Sequence, residues 1–405
     1  MRLGSDLDVL RLREFRLVFG AAVVSLFGDG MVPVALTFAI LDLTGSATDL
    51  GVVLAARTLA LVGSLLIGGV VADRLSRRTV MMGADVVRLL AQGAVAVLLI
   101  SGHATVLELV VSQVFLGIAT GFFNPASSGL IPVIAGSGLQ QANSLRGMAM
   151  AAGNIGGPAI AGVLVVASSP GVALLIDAGS YGASALLLTR VTSDVRAAAP
   201  RRFLIELRDG FAEFPARTWV WATIAALSVA NAAGVAFAVL GPVVAKHELG
   251  GAGAWALILA AAGVGSLLAG TTLLRFRPRR PLLVAVLVGL LPAAPMFLLA
   301  VPAPLAVIAV AALGYGIGGM VFNTLWETTL QQYIPADARS RVSAYDWFGS
   351  LALQSLGYAL IGPFAGAVGT STALYVCGGL DLVVVGLLLF LSDIRTLAPR
   401  PTIID

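Results

Sequence analysis

Asp29 and Arg57 each interrupt a long apolar run, and a charge surrounded by hydrocarbon needs a partner or a proton. Asp29 lies about fourteen residues into the first run, and Arg57 about fifteen residues before the end of the second. As antiparallel neighbouring helices rising about 1.5 Å per residue, the two runs set both groups at similar depth, so they can pair. A proton or a cation competing for Asp29 would let one site couple two fluxes. A permanent structural ion pair fits the same spacing. Glu327, beside Trp326 in a later run, is a second candidate proton carrier, with a solvated or arginine-paired carboxylate as the other reading. Gln113, Asn124, Asn231, Asn323 and Gln354 are polar groups in apolar segments. They can line a cavity, with Trp326 stacking on a lipophilic ligand, or serve as interhelical hydrogen-bonders. Asp177, Asp381, Arg146 and Asp346 lie towards segment ends and are expected to be structural.

The elements that position these residues follow from composition. Of 405 residues, 58% are hydrophobic and 11% charged, against about 25% charged in a soluble domain. That is about 235 apolar residues, and at roughly 20 per bilayer-crossing helix it suffices for about a dozen crossings. A soluble enzyme, a secreted scaffold and a nucleic-acid binder are thereby excluded. The net charge is only +4, and the basic residues sit in short segments between apolar runs, where they orient the chain in a membrane. One cysteine (Cys377) and two histidines supply neither a disulfide framework nor metal-ligand spacing, so no metal and no cofactor are expected. The chain has no Gly-x4-Gly-Lys-Ser/Thr loop, which argues against ATP-driven pumping, and it is not read as an enzyme.

Twelve helical spans are predicted, at about 15–41, 47–72, 79–101, 104–131, 141–168, 171–192, 218–245, 252–274, 282–300, 303–333, 341–368 and 371–392. Arginines cluster before span one and in every second connection, the pattern of a chain with both termini cytoplasmic. The organisation expected is a first bundle over 1–192, a cytoplasmic linker over 193–217, a second bundle over 218–395 and a tail over 396–405. In the linker, Phe203, Leu207, Phe211 and Phe214 follow the spacing of a short amphipathic helix.

The two halves repeat. Gly63-Ser64-Leu65-Leu66-x-Gly68 and Arg77-Arg78 recur as Gly265-Ser266-Leu267-Leu268-x-Gly270 and Arg279-Arg280, shifted by 202. Asp29 answers Asn231, Gly157-Pro158 answers Gly362-Pro363, and Asp177 answers Asp381. Two parallel six-helix repeats imply a transporter architecture, an all-α membrane protein of two pseudo-symmetric six-helix bundles with its substrate site between the halves.

The segment Gly69-Val70-Val71-Ala72-Asp73-Arg74-Leu75-Ser76-Arg77-Arg78 resembles the loop signature of the major facilitator superfamily, with Val71 for the usual leucine and Ser76 for the usual second glycine. Gly69 permits close helix approach, Asp73 can meet a helix N-terminus, and Arg74, Arg77 and Arg78 anchor the loop among headgroups. The resemblance implies a conformational latch between the halves, with Asp85 and Arg88 a local pair beside it. In span five, Gly153-x3-Gly157-Pro158-x3-Gly162 resembles the glycine-proline signature of the superfamily's antiporters, and it fits a plain helix-packing seam as well. Gly28-Asp29, Thr44-Gly45-Ser46, Ala84-Asp85, Asn124-Pro125, Gln141-Ala142-Asn143, the Phe322-to-Glu327 run and Arg339-x-Arg341-Val342 resemble, in this order, an efflux branch of that family. The branch includes macrolide and enterobactin-type siderophore exporters, and the similarity runs from about Phe15 to Asp393.

The resemblance implies a monomeric, multi-pass protein of the bacterial plasma membrane. It would export an amphipathic small molecule in exchange for protons, with membrane lipids around it and no nucleic-acid partner. An uptake or lipid-translocating carrier of the same fold without proton coupling, or a non-transporting sensor, stays open on the residues alone.

Overall fold

The computed structural model describes residues 8–192, 218–276, 278–301, 303–334 and 336–398. The predicted linker, with its amphipathic helix, lies outside the described residues, as does most of the tail. Six long helices make up the first half: α1 (Arg13–Thr44), α2 (Ala47–Arg74), α3 (Arg77–Ile100), α4 (Val106–Ala135), α5 (Leu139–Ala167) and α6 (Pro170–Thr189). The second half holds α7 (Thr218–Glu248), α8 (Ala252–Leu273), α9 (Pro281–Val288), α10 (Ala294–Ala300), α11 (Leu305–Tyr333), α12 (Ala336–Val368) and α13 (Thr370–Leu387), with a short α14 (Ser392–Thr396) at the end. Twelve segments among the described residues are long and apolar enough to cross a membrane, α9 and α10 together forming one of them.

Local chemistry sets the helix boundaries. The side chain of Ser46 accepts from the Asp49 N–H at 3.1 Å at the start of α2, and Gly45 closes α1 at φ 69°, a left-handed conformation that favours glycine. Glu108 reaches back to the N–H of Thr105 at 2.9 Å ahead of α4, and Pro170 opens α6 behind the capping Ser169. Ser76, which departs from the family's loop glycine, takes the N-cap of α3 by accepting from Thr79. The ninth span departs from the continuous helix predicted over 282–300. Pro292 and Pro295 remove two helical N–H donors, and a 3₁₀ turn over Leu291–Ala293 separates α9 from α10.

Two compact units divide the chain, Met1–Pro200 with Trp255–Ala260 and Arg201–Ala254 with Ala261–Asp405. In the first, α1 packs on α5 and α6, α2 on α4, and α3 on α4 and α6. In the second, α7 packs likewise on α12 and α13, and the broken α9–α10 span packs on α11. Each unit also has an apolar cluster of its own. One gathers Phe15, Met81, Leu130 and Leu188, and the other Trp219, Leu282, Trp326 and Leu388. Outward faces are apolar too, Val166 and Val310 being 70% and 71% exposed, as hydrocarbon rather than water requires.

Candidate functional site

In the first unit the buried polar side chains form a chain of contacts. Asp29 stands midway along α1, and its Oδ1 accepts from the Tyr181 hydroxyl of α6 at 2.7 Å. Arg57 of α2 approaches the same oxygen at 3.9 Å, with side chains of 27% (Arg57) and 38% (Asp29) exposure. That distance exceeds the roughly 2.7–2.9 Å of a charge-assisted hydrogen bond, so the contact is ionic and loose. On its other side, Arg57 donates to Gln113 of α4 at 3.5 Å. Gly28 makes this possible, since a Cβ there would meet Ser180 Oγ and Asp177 Oδ1 at 2.3 and 2.4 Å.

Deeper in the unit, α3 and α6 contribute the rest. Asp85, fully buried, accepts from Arg88 at 3.4 Å and from Ser184 at 2.6 Å. The Arg88 guanidinium lies 4.5 Å from the centre of the Phe123 ring and 5.4 Å from that of Tyr181, within cation–π range. Asp177, fully buried as well, accepts from Gln92 at 2.9 Å. Tyr181, Asp177, Gln92 and Ser184 were not among the expected site residues. Their signal was helical spacing, with 85, 88 and 92 on one face of α3 and 177, 181 and 184 on one face of α6.

The second unit is organised around space. A cavity of about 470 Å³ opens among α7, the break between α9 and α10, α10, α11, α12 and α13. Asn231, Asn323, Trp326, Glu327 and Gln354 all line it. Gln113 and Asn124 belong to the first unit, Gln113 buried against Arg57 and Asn124 exposed on α4. Asp346, Asp381, Tyr315 and Tyr358 line the cavity too, a location that sequence position alone did not suggest for the two aspartates. Asp346, Ser350, Gln354 and Tyr358 recur every fourth residue of α12, a stripe visible in the sequence. The Trp326 indole N–H donates to Asp346 at 2.9 Å, and its ring packs edge-on against Trp219 at 5.8 Å. Asp381 is 5% exposed, and its Oδ2 has no hydrogen-bond partner among the described residues.

With this geometry in place, comparison with known proteins is decisive. The family model described as Major Facilitator Superfamily matches residues 18–352. The chain belongs to the major facilitator superfamily. Multidrug efflux pump Tap of Mycolicibacterium fortuitum is 28% identical over 407 residues, spanning 94% of this chain and 96% of that one. Enterobactin exporter EntS of Salmonella typhimurium is 28% identical over 410 residues, spanning 96% and 95%. The crystal structure of nucleoside transporter NupG shares the fold, with a TM-score of 0.74 at 15% identity over 93% of this chain and 98% of that one. The protein is therefore a twelve-span membrane transporter of a small-molecule-carrying family.

Two major facilitator motifs acquire definite contacts. Arg78 donates to the carbonyls of Leu188 and Thr189, at 2.9 and 2.6 Å, at the C-terminus of α6. A cation there meets the negative end of the helix dipole. Arg77 donates to the carbonyl of Gly129 on α4. Within their own unit, then, these arginines tie the start of α3 to α4 and α6. Gly69, Asp73 and Arg74 end α2, and their surroundings lie outside the described residues. In the glycine-proline motif, a Cβ at Gly157 would come 2.4 Å from the carbonyl carbon of Gly30, so α1 and α5 touch backbone to backbone. Pro158 and Gly162 are buried in the same helix.

Proposed function

We propose that this major facilitator protein exports an amphipathic small molecule in exchange for protons. It would sit as a monomer in the bacterial plasma membrane, with both termini and the 193–217 tether on the cytoplasmic side. The observation that carries the reading is Asp29. It is a carboxyl at mid-helix depth, held firmly by Tyr181 at 2.7 Å and only loosely by Arg57 at 3.9 Å, and its side chain is 38% exposed. A permanent structural pair in hydrocarbon needs close, fully enclosed geometry to offset desolvation. An open, loose pair can instead exchange its arginine for a proton. The exporters Tap and EntS, similar to this chain over nearly its whole length, support the outward direction. At 100 mV each charge moved contributes about 2.3 kcal/mol, roughly forty-fold of accumulation at 1.4 kcal/mol per tenfold. Glu327, exposed on α11, is assigned a second, subsidiary proton site.

The test uses inverted membrane vesicles containing the protein, acidified inside and challenged with macrolides, lipophilic cations and siderophores. The expected outcome is substrate-triggered alkalinisation of the lumen that disappears in Asp29→Asn. Accumulation of substrate without any proton response would remove Asp29 from the coupling role, and no movement of either species would remove the exporter reading.

A further inference from the structure

We infer that the cavity of the second unit binds an organic monocation, its charge held by Asp381 with Asp346 and Glu327 around it and its apolar body by Tyr315, Phe322 and Trp326. This names the cargo class of the exporter proposed above and rests on that reading for its place in a transport cycle; the binding itself is a property of the cavity.

Three carboxyl side chains line this one space, and no arginine, lysine or histidine stands among the described residues that line it. Asp381 makes the case more than an acidic cluster. It is 95% buried and lines the cavity, and its Oδ2 has no hydrogen-bond partner among the described residues. Burying such a group unpaired is costly, and a cation in the cavity supplies what the protein does not. Asp346 is held on the cavity wall by the Trp326 indole N–H, which takes one of its two carboxylate oxygens. Phe322 and Tyr315 bring aromatic rings to the same wall, with the buried Trp326 behind them, and aromatic rings attract cations. At about 470 Å³ the cavity matches a drug-sized guest, within the roughly 300–1,000 Å³ of small-molecule sites.

The same chemistry rejects two other guests. A divalent metal needs several oxygens converging at about 2.3–2.6 Å for calcium, or closer for magnesium. No three such side chains among the described residues approach closely enough to hold a metal ion. A polyanion such as a deprotonated siderophore would meet carboxyl groups and no cationic side chain among the described lining residues, so the cavity separates cationic drugs from anionic chelators by sign.

Tetraphenylphosphonium and tetraphenylborate have nearly the same shape and opposite charge, and they isolate that sign. Equilibrium binding of each to purified full-length protein in detergent micelles would be measured without any gradient. The expectation is saturable tetraphenylphosphonium binding and no saturable tetraphenylborate binding. Affinity for the cation should fall at least tenfold in Asp381→Asn, fall several-fold in Asp346→Asn and recover in Asp381→Glu, each variant being checked for a monodisperse elution profile. Similar affinity for both ions would overturn the inference, as would undiminished cation binding in Asp381→Asn. Failure of the exporter reading looks different, because charge-selective binding would persist in a protein that moves nothing in vesicles.

Discussion

Asp177 and Asp381 occupy the same point of the internal repeat, yet the two units surround them differently. Around Asp177 one oxygen has a protein partner, while its Oδ1, like Oδ2 of Asp381, has no hydrogen-bond partner among the described residues. Gln92 donates to Oδ2 of Asp177, and nearby Asp85 and Asp29 are met by Arg88, Ser184, Tyr181 and Arg57. The offset of 202 that aligns Arg77-Arg78 with Arg279-Arg280 sets Leu287, Leu290 and Ala294 where the first half has Asp85, Arg88 and Gln92. The offset of 204 that aligns the aspartates sets Val385 in place of Tyr181. The second unit thus retains the acid while lacking the side chains that answer it in the first, and a cavity lies beside it. A duplicated bundle can therefore keep its packing and divide its chemistry. Under the functions proposed above, the first copy holds the principal proton-exchanging pair and the second holds the cargo, with Glu327 its subsidiary proton site.

The sharpest way to break this contrast is to make the first unit resemble the second. Arg88→Leu alone leaves Asp85 buried with only Ser184 as partner, and breaking a buried pair on one side costs about 3–5 kcal/mol. The double variant Asp85→Leu/Arg88→Leu copies Leu287 and Leu290. It should recover most of that loss, because an apolar replacement of a whole buried pair is often neutral. Thermal unfolding of both variants in the same detergent reads the difference. A double variant as unstable as the single one would show that the Arg88 guanidinium is needed for its place between Phe123 and Tyr181 rather than for its pairing with Asp85.

A smaller effect separates the proposed roles. Tyr181→Phe deletes the hydroxyl that donates to Asp29 at 2.7 Å, a bond to a charged group worth about 1.5–3 kcal/mol. Proton-coupled transport should fall by about tenfold or more, at 1.4 kcal/mol per tenfold. Tetraphenylphosphonium binding to the second unit should stay close to that of the unaltered protein. Equal loss of both would mean that the two units do not divide the work as proposed.

Most of the architecture was legible because a bilayer imposes it. Twelve apolar runs with arginines in every second turn leave few alternatives, and the helices end within a few residues of the predicted limits. Pro292 and Pro295 announced the interruption of the ninth span, although hydropathy alone smoothed it over. The site was less legible because hydropathy measures depth and says little about rotation. Asp177, Asp346 and Asp381 were read by their distance from segment ends, whereas their role depends on which face of the helix they share. The four-residue stripe from Asp346 to Tyr358 carried that information, as did the spacing of 177, 181 and 184. What no spacing could supply is the tertiary fact that Asp29 meets Tyr181, 152 residues later.

The smallest effect compares the repeated arginine pairs. Arg78 donates to two carbonyls at the end of α6, whereas Arg280, its counterpart by the same offset, is exposed at the N-cap of α9. A cation at a helix C-terminus contributes about 0.3–1 kcal/mol, and an exposed side chain without such a role changes stability by less than about 0.5 kcal/mol. Arg78→Ala should therefore lower the unfolding temperature by more than Arg280→Ala does, with the gap narrowing in high salt as the dipole interaction is screened. Equal shifts would place both arginines in the same role of anchoring to headgroups. A larger shift for Arg78 that salt does not diminish would assign its contribution to the two hydrogen bonds rather than to the helix dipole, and would make the first-half loop a structural clasp on α6 that the second half lacks.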